Sequence, residues 1–156
     1  MTKRAPKKKT VSGLLESQNE LFEAGDPGCN DTDIAELESA IGQELPGEIV
    51  ELLQLSDGGV LHAGHEALYL ATCAQIRVWH ADGVVDELEL FPFAHNGSDT
   101  LLLVDEGGAW GGKGGSVYRL QMGRRVLHGY PIQDATFLAG SIYQFLEHLI
   151  AGEDLL

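Results

Sequence analysis

Leu90-Phe91-Pro92-Phe93-Ala94-His95-Asn96-Gly97-Ser98-Asp99-Thr100-Leu101-Leu102-Leu103-Val104-Asp105 is the stretch that decides the fold. Two short apolar runs, Leu88 to Ala94 and Thr100 to Asp105, flank His95-Asn96-Gly97-Ser98. Asn-Gly adopts the positive φ values that a tight hairpin turn needs, and short apolar runs bounded by turn residues read as strands. The stretch is therefore a β-hairpin. Downstream, Tyr118, Leu120 and Met122 alternate with Val117, Arg119 and Gln121, and Gly123-Arg124-Arg125 turns into Val126 to Tyr130, so the sheet continues as a meander. Upstream, Leu68-Tyr69-Leu70 reads as one more short strand.

On both sides of these strands the hydrophobic period becomes helical. Val11, Leu14, Leu15, Leu21 and Phe22 predict a first helix that Gly25-Asp26-Pro27-Gly28 breaks. Asn30-Asp31-Thr32-Asp33 offers side-chain oxygens to cap a second, with Ile34, Leu37 and Ile41 on one face and Gly42 at its end. Leu45-Pro46 starts a third, with Glu48 near the positive end of its dipole, Ile49, Leu52 and Leu53 on one face, and Gly58-Gly59 as its stop. Thr72 caps a short helix carrying Ile76 and Trp79, closed by Asp82-Gly83. Asp134 is the expected cap of the last helix, whose stripe is Leu138, Ile142, Phe145, Leu146 and Leu149. Helices grouped at both ends of consecutive strands, with no strand–helix–strand alternation, imply an α+β fold: an antiparallel sheet meander with N-terminal helices and a C-terminal helix packed on it.

A chain of 156 residues, 44% apolar and 22% charged, has room for one ordinary globular core. The expected organisation is a disordered basic tail over residues 1–10 and a single domain over 11–156. No apolar run approaches the roughly 18 residues of a membrane span, and no apolar segment follows the N-terminal lysines as in a signal peptide. Cys29 and Cys73 are too few for a disulfide framework and lack C-x-x-C spacing. A cytoplasmic protein with reduced thiols is expected.

Charge is the most informative part of the composition. Lys3, Arg4, Lys7, Lys8 and Lys9 hold half of the ten basic residues, so residues 10–156 carry five basic residues against 24 acidic ones, a balance of −19. A field of that sign repels nucleic acid and anionic membranes, and it speeds encounter with a basic protein; the alternative reading is that the acidity serves solubility alone.

Catalytic and cofactor motifs fail on inspection. Gly107-Gly108-Ala109-Trp110-Gly111-Gly112-Lys113-Gly114 approaches the phosphate-binding pattern, but Gly114 has no hydroxyl for magnesium and Ser116 to Met122 alternates as a strand where a helix should open. Gly114-Gly115-Ser116-Val117-Tyr118 lacks the last glycine of a nucleophile elbow, and Cys73 has no evident activating base. His62 and His65 lack a third metal ligand. No catalytic residue, cofactor or metal is assigned. In the glycine-rich loop Trp110 is either folded back on the body or displayed as a contact residue.

From residue 30 onward the sequence resembles the SUKH superfamily, the immunity-protein and regulatory-scaffold group that includes the yeast cell-wall-synthesis regulator. One block is Leu37-Glu38, Ile41-Gly42, Leu45-Pro46, Leu52-Leu53 and Ser56-Asp57-Gly58-Gly59. The other is Leu90 to Ala94, Asn96-Gly97, Leu101 to Asp105, Val117-Tyr118 and Phe145-Leu146. Asp57 stands where the family more often has Asn, and the 107–115 segment is longer than a simple hairpin needs. The resemblance implies a non-enzymatic protein binder, often a cytoplasmic immunity protein against a secreted toxin, and the acidic body adds the expectation that this toxin is a basic nuclease; an intracellular regulatory or scaffold domain is the alternative. The expected partner-binding residues are Asp86, Glu87, Glu89, Asp99, Asp105, Glu106 and Trp110.

Overall fold

The computed structural model describes residues 10–18, 20–82, 89–108, 110–121 and 135–156. Thr10 caps α1 (Val11–Ser17) by accepting from the Gly13 amide at 3.0 Å, and Val11 and Leu15 point into the core. The helix stops there and does not run on to Phe22, because Phe22 opens a strand, β1 (Phe22–Pro27), paired with residues 56–61. Gly25 lies within that strand, its amide donating to Ser56 Oγ at 2.8 Å, and a Cβ there would come within 2.8 Å of the Asp57 carbonyl. Pro27 is tolerated because it ends an edge strand, where its missing N–H costs little. Turn-forming residue types thus conceal a strand at this position.

Asn30 and Asp33 cap each other's amides at 2.8 and 3.0 Å at the start of α2 (Asp31–Ile41), and Gly42 closes it in the left-handed region at φ 74°. After Pro46 comes α3 (Gly47–Leu55), which passes without a loop into β2 (Ser56–Ala63). Gly58 and Gly59 are therefore not a turn between elements. They sit inside β2 at φ 89° and 130°, where other residues would be strained. A tight turn leads to β3 (Glu66–Leu70), and Thr72 and Gln75 form a capping box on α4 (Cys73–Ala81).

The hairpin read from the sequence is present as β4 (Leu90–His95) and β5 (Thr100–Asp105), followed by β6 (Ser116–Gln121). Gly83, Leu88 and the predicted turn and strand over 123–130 lie outside the described residues. The chain then forms β7 (Ala135–Ala139) and α5 (Ile142–Ile150). Leu138 belongs to β7 and not to the helix, and Ser141, accepting from the Gln144 amide at 3.1 Å, takes the capping role expected of Asp134, which lies outside the described residues.

Among the described residues seven strands form one antiparallel sheet in sequence order, β1 to β7. Asp105 pairs with Leu90 on one side and Ser116 on the other, so the β4–β5–β6 ladder has a common end. Pro92 sits at a bulge in β4, where a residue that cannot donate to the ladder is accommodated. Helices α1, α3 and α5 bring Val11, Ile49, Leu53, Phe145, Leu146 and Leu149 into one cluster with Phe93, Leu102, Val104 and Val117 of the sheet. By strand alternation Leu101, Leu103 and Leu120 point the other way, and Trp79 and Trp110 pack on them. Glu48 of α3 locks the C-terminal helix on: its two carboxylate oxygens accept from the Ile142 and Tyr143 amides at 2.9 Å each. Among the described residues no helix is long and apolar enough to cross a membrane.

Candidate protein-binding face

The expected partner-binding residues do not form one patch. Asp86 and Glu87 lie outside the described residues. Glu89 and Glu106 are exposed neighbours at the common end of the β4–β5–β6 ladder, with the Glu106 amide donating to the Glu89 carbonyl at 2.9 Å. Asp99 is exposed at the opposite end, in the Asn-Gly turn; a strand rise of about 3.4 Å per residue puts it roughly 17 Å away.

Asp105 is corrected outright as a surface residue. It is 0% exposed, and its carboxylate accepts the Trp110 amide at 2.9 Å. The Gly115 amide donates to its carbonyl at 2.9 Å. A buried carboxylate at this position organises the 107–115 loop from within. Three loop amides, of the kind that would face a phosphate in a nucleotide-binding protein, serve the chain's own groups instead: those of Trp110 and Gly115 donate to Asp105, and that of Gly111 to Gly108 O at 3.0 Å.

Trp110 is folded back. Its ring meets Tyr118 edge-on at 4.9 Å, and Tyr118 meets Phe137 edge-on at 5.7 Å. Such geometries place the positive edge of one ring on the negative face of the next. Burial, then the Asp105 charge, pushes the Tyr118 phenol above its usual range, opposed by a backbone hydrogen bond at Gly112. The aromatic row ends in the open: Phe137, on β7, is 57% exposed. The sequence left Trp110 open between a folded-back and a displayed position; it is folded back, and Phe137 is the exposed ring of this row. The only available signal was the alternation of Ala135-Thr136-Phe137-Leu138-Ala139, which competes with the helical stripe beginning at Leu138.

The described histidines are dispersed. His62 stands 3.3 Å from Glu23 on an exposed strand pair, His65 lies in the turn after β2, and His148 pairs with Glu153. Burial holds His80 and His95 below the usual imidazole range. His95 Nδ1 accepts from the Gly97 amide at 2.9 Å, and its ring stacks on Tyr69 at 5.2 Å. Among the described residues, one group brings together three side chains of metal-ligand type: Cys29, Asp57 and Cys73. Positions 44 residues apart in sequence, without motif spacing, gave no sign of it.

The family model of the SMI1 / KNR4 family (SUKH-1) matches residues 28–148, most of the chain. No curated protein matches the chain.

Proposed function

The chain belongs to the SMI1 / KNR4 family (SUKH-1), and from that premise we propose that it is a non-catalytic protein-binding domain acting as a cytoplasmic immunity protein against a basic nuclease toxin domain. The observation that carries this reading is charge. Residues 10–156 hold five basic and 24 acidic residues, a surplus suited to a nucleic-acid-binding enzyme whose substrate groove must be basic. The binding face is the end of the sheet where Glu89 and Glu106 border the row Trp110–Tyr118–Phe137. Phe137 supplies exposed aromatic area of the kind that anchors interfaces, and the two carboxylates supply an acidic rim. Asp99, at the far end of the hairpin, acts through the long-range field and not through the same contact patch.

The test is protection. A basic nuclease toxin domain from the source organism is expressed with and without the full chain, and nuclease activity of the purified toxin is titrated with it. Stoichiometric inhibition, weakened by Phe137→Ala and by Glu89→Lys with Glu106→Lys, supports the proposal. Full nuclease activity at saturating chain overturns it. Tight binding to a neutral or acidic protein without inhibition favours the regulatory or scaffold role.

A further inference from the structure

Cys29 precedes α2, Asp57 is the second residue of β2, and Cys73 is the first residue of α4, so three separate elements converge on one point. Their ligand atoms all lie within 4.8 Å of one another. The two Sγ atoms are 2.7 Å apart, and the carboxylate is held in position by accepting the Cys73 amide at 2.8 Å. A cavity of about 310 Å³ opens beside them, lined also by Asp33, Glu36 and Arg77. We propose that Cys29, Asp57 and Cys73 form a binding site for a thiophilic divalent cation of the zinc class, with a water from this cavity as fourth ligand.

The chemistry of the donor set selects the ion. Two sulfurs with one carboxylate suit zinc and its congeners, while magnesium and calcium require oxygen ligands throughout. Zinc–sulfur bonds of about 2.3 Å and zinc–oxygen bonds of about 2.0 Å, at tetrahedral angles, space the ligand atoms roughly 3.5–3.8 Å apart. The sulfurs, 2.7 Å apart, reach that spacing by separating about 1 Å. Three carboxylates face one guanidinium around the cavity, so its field favours a cation before either thiol ionises. Cysteine binds such an ion as the thiolate. Binding therefore exchanges two thiol protons for one divalent ion, forming two metal–sulfur bonds with no change of oxidation state, and affinity rises with pH.

The reduced full chain is titrated with cobalt(II), whose thiolate complexes absorb by charge transfer, and then with zinc. The expected result is a band saturating at one cobalt per chain, displaced by equimolar zinc. With zinc at 100 times its Kd, Tm rises by roughly 5–11 °C. Cys73→Ser, at a half-buried position, removes both signals; Asp57→Asn keeps the band and weakens affinity at least about 10-fold. Absence of the band in the reduced chain overturns the site, as does a zinc-induced shift that survives Cys73→Ser. If air oxidation consumes both thiols, with two hydrogens passing to oxygen, and the re-reduced chain shows no cobalt band, the pair is a redox couple and not a metal site.

Discussion

Replacing Glu48 with Gln tests how the two ends of the chain are joined. The Glu48 carboxylate accepts two amides at the start of α5, both at 2.9 Å, across 94 and 95 residues of sequence. Hydrogen bonds to a charged group contribute about 1.5–3 kcal/mol net each. Glutamine keeps one acceptor, turns an NH2 toward the other amide, and removes a negative charge that favours the N-termini of both α3 and α5, worth about 0.3–1 kcal/mol per helix. Half-exposure discounts the electrostatic part, leaving an expected cost of about 2–3 kcal/mol. For a chain of this size that lowers Tm by roughly 4–12 °C. Urea titration and thermal melting measure it, with Glu44→Gln, an exposed site with the same charge change, as the control expected within about 0.5 kcal/mol of the unsubstituted chain. If the two variants melt together, Glu48 does not hold the C-terminal helix and the packing account is wrong.

Other expected outcomes follow from burial. Leu146, 0% exposed on α5, should cost about 2–5 kcal/mol when cut to Ala, read from the denaturation midpoint; a loss under 1 kcal/mol would remove it from the core. Trp110→Ala should lower stability by about 2 kcal/mol, less than the roughly 3–5 of a fully buried tryptophan, because the half-buried ring packs on Tyr118 and on the cluster of Leu101, Leu103 and Leu120; an unchanged melt with faster partner release would mean the ring is displayed. His80 and His95 resist protonation in the folded chain, so the unfolded chain binds more protons below its usual imidazole value of about 6.5, and stability rises with pH through that region. Tm should therefore fall between pH 7.5 and 5.5, and His95→Gln, which can still accept from Gly97, should flatten the slope.

What the sequence made legible was local. The Asn30 and Thr72 caps, the Gly42 stop and the Asn96-Gly97 hairpin are each specified within a few residues, and each lies where it was read. What it concealed depended on distant partners. Phe22–Pro27 is a strand because β2 offers it a ladder, although Gly25, Asp26 and Pro27 individually favour a turn. Ala135–Ala139 is a strand because β6 stands open beside it, although Leu138 fits the helical stripe that follows. The same limit governs the site. An Asp at the end of an apolar run reads as solvated, and only the tertiary fold turns Asp105 inward onto the Trp110 amide. Phe137 escaped notice because exposure is a property of the assembled sheet.

The central claim, recognition of a basic protein by the acidic end of the sheet, is tested most directly by association kinetics across a salt series. The chain and a basic nuclease toxin domain that it inhibits are compared between 0.05 and 1 M salt, over which the Debye length falls to about 3 Å from more than 10 Å. The account predicts an association rate that drops steeply with salt while dissociation changes less, and a further drop at low salt for Glu89→Lys with Glu106→Lys. An association rate indifferent to salt and to these two substitutions would contradict it.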